Sequence, residues 1–313
     1  MSVAACEISR AESIEIMSQA ASPVSETPSS SRLPLFALII GGAAIGGSPI
    51  FVRLSEVGPM ATAFWRVALA LIPIFIFSLL RKDTGPRPKS LADYGMLILP
   101  GAVLALDLSA WHLSITMTSV ANATLLANLA PVFVTAIGFL FFGTKVTRVF
   151  VLGLILALAG VVVLKGGPAA FGNGDLRGDG VAMIAAFFYA CYILAIGALR
   201  SRFDTIRIML WSTASAAVGV FPLAFFFEGH MLPASLYGWS VVFSLAFVSH
   251  AGGQVAIAYA LAYLPAAFSS LTLLLQPVVA AILAWALLNE SITAMQALGG
   301  LIVLAGITVA RRG

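Results

Sequence analysis

Hydrophobic positions along this chain fall in long unbroken blocks separated by short polar breaks. Ten blocks can be marked, at 35–53, 60–80, 94–114, 119–142, 147–165, 179–199, 206–227, 237–259, 265–288 and 293–310. Each is near the ~20 residues that a helix needs to cross a bilayer. The blocks are continuous, not stretches of ~10 residues with alternating polarity, so membrane β-strands are excluded. Residues 1–32 differ: they are rich in Ser, Ala, Glu and Pro and lack a signal-peptide core, so they read as a disordered tail. The pattern predicts an all-α integral membrane protein with ten transmembrane helices.

One block is written twice. NLAPVFVTAIGFLFFGTKVT, Asn128 to Thr147, returns as LLQPVVAAILAWALLNESIT, Leu274 to Thr293, which sets Pro131 against Pro277 at an offset of 146. At the same offset stand Trp65/Trp211, Leu129/Leu275, Gly153/Gly299 and Gly160/Gly306, without a gap. The chain therefore divides into a first five-helix repeat, 33–165, and a second, 179–311. Five is odd, so the second repeat must enter the membrane upside down. The charged loops agree: Gly-Thr-Lys at 143–145 becomes Asn-Glu-Ser at 289–291, shedding its positive charge as the loop changes sides.

Composition and charge sharpen this picture. Sixty per cent of the residues are hydrophobic and 10% are charged, where a soluble domain carries roughly 25% charged. Thirteen of the seventeen Lys and Arg fall on the side of the N-terminus and three on the other, while Arg66 lies within a span. By the positive-inside rule both termini are cytoplasmic, as expected of a bacterial inner-membrane protein. The net charge of +4 forms no basic stripe, so nucleic acid is not an expected partner. Cys6 and Cys191 suggest no disulfide framework.

Two inverted repeats are a transporter's architecture, because two similar bundles can exchange conformations around a central site. The run from Gln276-Pro277 through Asn289-Glu290 to Gly299-Gly300 and Gly306 resembles the EamA-type members of the drug/metabolite transporter superfamily. The resemblance covers about 35–311 and departs at Thr144, where the family usually has an acidic residue matching Glu290. It implies secondary transport of small metabolites, often amino acids or related compounds. The expectation is a secondary active transporter of a small amphipathic metabolite, working by alternating access in the export direction, through proton coupling or exchange. The alternative is a membrane scaffold, sensor or enzyme without transport. His112, His230 and His250 form no HExxH and no GxxxxGK[ST] occurs, so no enzyme, metal or cofactor is expected. The expected partners are a small-molecule substrate, the lipid bilayer and protons; oligomeric state is not readable.

Ionisable side chains inside spans cost about 2.5–3.5 kcal/mol on insertion scales and usually face a bundle interior. Asp107 is the clearest case, with Trp111 four residues on sharing its face. Gly253 occupies the repeat position of Asp107, with His250 and Gln254 beside it. Asp107 and His250 are therefore the expected proton-handling or ligand-binding pair. Arg66, next to Trp65, suits a substrate carboxylate or phosphate, or else snorkels to headgroups. His112, Asn128, Tyr259 and Gln276 complete the candidate cavity residues. Gly42 and Gly46, spaced as GxxxG, read as a close helix contact.

Overall fold

The computed structural model describes residues 32–81, 85–118, 120–167 and 175–313. The tail expected to be disordered lies, but for Arg32, outside them, as does Lys82. Among the described residues the secondary structure is entirely helical. Eight helices among the described residues are long and apolar enough to cross a membrane: α1 Arg32–Leu54, α2 Pro59–Leu80, α3 Leu91–Met117, α4 Asn122–Phe142, α6 Leu176–Arg200, α7 Thr205–Phe227, α8 Leu236–Ala260 and α9 Ala266–Leu288. Two further apolar helices, α5 Arg148–Leu164 and α10 Ala294–Ala310, have 17 residues each.

Local chemistry sets the boundaries. The two threonines that close the duplicated segment are N-caps: Thr147 accepts from Phe150 N, and Thr293 forms a capping box with Gln296. The helices before them both end in a left-handed residue, Gly143 at φ 62° and Asn289 at φ 55°. Glycine tolerates that region freely, and asparagine is among the few other residues that do. The sequence changes at this corner while the backbone geometry does not. Beyond it, Glu290 pairs with Arg53 at the end of α1. The residue at Arg53's repeat position is Leu199, so neither member of this ion pair recurs at the offset of 146.

Packing follows the repeat. α1 lies against α8 and α9, and α6 lies against α3 and α4, so the first helix of each half joins the third and fourth of the other. α7 packs on α2 and α3, and α5 packs on α10. A Cβ on Gly160 would stand 2.5 Å from Val303 N, and one on Gly306 2.4 Å from Ala157 N. These two contacts are the same contact shifted by 146. Likewise Gly153 faces Ala310 N at 2.5 Å and Gly299 faces Leu164 N at 2.3 Å.

Carboxylates tie the loop ends of these groupings. Asp93 accepts from Lys89 N, Ser90 N and Arg202 Nη2, the last at 2.6 Å, joining the start of α3 to the end of α6. Glu56, after α1, accepts from the Ser235 hydroxyl and from Ala234 N and Ser235 N at the start of α8. The Ser235 hydroxyl, with the Ser235 and Ala234 N–H groups, holds the Glu56 carboxyl below its usual range. A depressed folded-state pKa contributes stability above the ordinary carboxylate pKa, and that contribution is lost as pH falls through the depressed value. Glu56→Gln is therefore expected to lower the melting temperature at neutral pH, with the gap to wild type closing on acidification. A gap independent of pH would show that the charge of Glu56 contributes nothing.

Candidate functional site

A cavity of about 170 Å³ opens between the α3/α4/α6 grouping and the α1/α8/α9 grouping. Two helices reach it through proline-tightened turns: α4 at Asn128–Leu129 before Pro131, and α9 at Leu273–Leu274 before Pro277. A proline has no N–H, so Pro131 cannot donate to the Ala127 carbonyl at the cavity wall. α1 is interrupted at Gly47, and Ser48 and Pro49 line the wall just past that turn.

The charged lining residues among those described are Arg66 from α2 and Asp107 from α3. They make no direct ion pair with each other, although each lies within electrostatic reach of the other. Arg66 Nε is buried without a hydrogen-bond partner. From the other side come Gln254 on α8, which is 3% exposed, and Gln276 on α9. Gln254 Oε1 and Gln276 Nε2 are buried and unpartnered, leaving one acceptor and one donor to spare. The Tyr189 hydroxyl on α6 lies within reach of both amides. Trp111, Leu104, Leu108 and Ile193 form an apolar wall, and Asn128 anchors its own amide on Thr124 O at 2.8 Å.

Six of the ten residues singled out in the sequence thus meet at one cavity: Arg66, Asp107, Trp111, Asn128, Gln254 and Gln276. Four do not line it. His250, on α8, is buried against α7 with Nε2 3.1 Å from the Thr213 hydroxyl, and it does not line the cavity. The Thr213 hydroxyl on α7 holds the ring there, whereas Gln254, on the same π-wound stretch Leu245–Gln254, reaches the cavity wall. His112 Nδ1 donates to Leu108 O at 2.6 Å within its own helix. Trp65 donates its indole N–H to Met231 O and packs edge-on against Trp239. Tyr259 pairs with Tyr263 at 5.1 Å. Tyr189, which the sequence offers only as one of several aromatics lying deep in spans, lines the cavity as well. Its pairing with Tyr192 deep in an apolar span was the available signal.

The chain matches the description of the EamA-like transporter family over residues 32–165 and 176–312. It is 29% identical over 250 residues to a pseudopaline exporter of Pseudomonas aeruginosa, covering 79% of this chain and 84% of that one. A protein of Streptantibioticus cattleyicolor named "Probable terminal-alkyne amino-acid exporter" is 27% identical over 278 residues, covering 84% of this chain and 87% of that one. A solved crystal structure superposes with a TM-score of 0.75 at 18% identity, covering 91% of this chain and 99% of that one, which shows a shared fold.

Proposed function

Because the chain belongs to the EamA-like transporter family, we propose that it exports a small, amino-acid-like metabolite across the inner membrane by alternating access. It is an integral multi-pass membrane protein. The observation that carries the reading is the cavity, which draws its wall almost equally from two three-helix groupings that can rock against each other. In this reading the eight long helices and the pair α5/α10 make ten crossings. Seventeen residues sit at the short end of what can span. The chain forms two inverted halves, 33–165 and 179–311, with both termini cytoplasmic. The glycine contacts repeated at an offset of 146 and the skew of Lys and Arg support that arrangement. The relatives named as exporters support the outward direction. Asp107 is the group able to exchange a proton for a solute, which makes proton antiport the simplest coupling.

Counterflow in proteoliposomes tests this directly. Vesicles loaded with unlabelled amino acid are expected to accumulate the labelled compound transiently, without any imposed gradient, because a carrier that alternates must exchange. Folded protein that gives no counterflow across a broad panel of amino acids, amines and nucleosides would overturn the reading.

A further inference from the structure

We propose that the cavity selects a solute bearing a carboxylate and a protonated amine together, Arg66 receiving the carboxylate and Asp107 the amine. This inference rests on the transporter reading and narrows its substrate. The starting point is an electrostatic imbalance within a neutral pair. Arg66 and Asp107 line one small cavity from neighbouring helices, yet among the described residues they form no direct ion pair. A buried charge without a close counterpart is unstable, and removing either partner of a pair leaves the other uncompensated. A solute of single charge would satisfy one of these groups and strand its opposite. A solute carrying both charges satisfies both at once.

The neutral groups divide the same way. Gln254 Oε1 is a spare acceptor on a side chain only 3% exposed, suited to an ammonium N–H. Gln276 Nε2 is a buried donor without a closed hydrogen bond, with the Tyr189 hydroxyl in reach, and is suited to a carboxylate oxygen. The Arg66 guanidinium is planar and forked, matching a carboxylate better than any other cation could. Trp111 adds a π-face of the kind that attracts ammonium groups. About 170 Å³ is below the roughly 300–1,000 Å³ of drug-sized sites, so the ligand is small and its apolar part meets Leu104, Leu108 and Ile193.

The test uses three compounds sharing one side chain: an amino acid such as leucine, its decarboxylated amine, and its deaminated acid. Small and large apolar amino acids are included so that side-chain size is not the limit. Each is scored by competition against labelled amino-acid counterflow and by thermal stabilisation of the purified protein. Wild type is expected to favour the amino acid over both single-charge analogues by at least about tenfold. Arg66→Gln is expected to lose discrimination against the amine, and Asp107→Asn discrimination against the acid, while Arg66→Lys partly restores the first. Equal weakening toward all three compounds in both variants would mean a merely structural role and overturn the assignment. So would wild type that binds amine or acid alone as well as the amino acid, or that no amino acid stabilises. Stabilisation by amino acids without counterflow would instead sink the transport reading and leave the binding assignment standing.

Discussion

Asp107→Asn is expected to abolish proton-driven export. Proteoliposomes given a pH gradient that moves protons against the direction of solute should show an initial export rate lowered on the order of a hundredfold. The argument is one of charge. With Asp107 ionised, the cavity's two charges sum to zero and an amine can be held against the carboxylate. With asparagine, Arg66 stands alone as a buried cation, and no side chain in the cavity lining can take up a proton when the solute leaves. A hydrogen bond to a charged group contributes about 1.5–3 kcal/mol, and each 1.4 kcal/mol is roughly a factor of ten. Asp107→Glu keeps the charge one methylene further out, so it should retain a measurable gradient response. Wild-type rates in a variant that cannot bind a proton at this position would exclude Asp107 from both coupling and binding.

What the sequence revealed, and what it concealed, follows from the range over which each residue acts. The helices were legible because their apolar blocks are set by membrane thickness. The helix ends were legible for the same local reason: Thr147 and Thr293 recur because each caps the helix it precedes. Asp107 and Arg66 stood out because charge within a span is costly wherever it faces. His250 does not join Asp107 at the wall because its ring meets Thr213 on α7, a contact across helices that no local pattern announces. Trp65 and Tyr259 look like cavity aromatics in one dimension. Their partners, Met231 and Tyr263, belong to neighbouring loop or turn segments that place them elsewhere. Tyr189 could not be told apart from the other span aromatics, since only the three-dimensional crossing of α6 with α8 and α9 brings its hydroxyl to Gln254 and Gln276.

Replacing the glycines of the α5/α10 seam should cost stability in matched pairs. At Gly160 and Gly306 a new Cβ would lie 2.5 and 2.4 Å from the backbone nitrogens of Val303 and Ala157. At Gly153 and Gly299 it would lie 2.5 and 2.3 Å from those of Ala310 and Leu164. A backbone atom cannot rotate aside as a side chain can, so the two helices must separate along their shared length. Overpacking of this kind costs about 1–3 kcal/mol. It acts against the roughly 1 kcal/mol that alanine gains over glycine in a helix. Gly197 is the internal control, since nothing lies within 4 Å of its added Cβ. Gly197→Ala should therefore be neutral or stabilising, while Gly160→Ala and Gly306→Ala lower the melting temperature by equal amounts. Equality is the informative part, because the two sites share no sequence neighbourhood and resemble each other only through the repeat. A large loss at one and none at the other would mean that the seam is not symmetric, and that the matched contacts at an offset of 146 do not reflect one interface written twice.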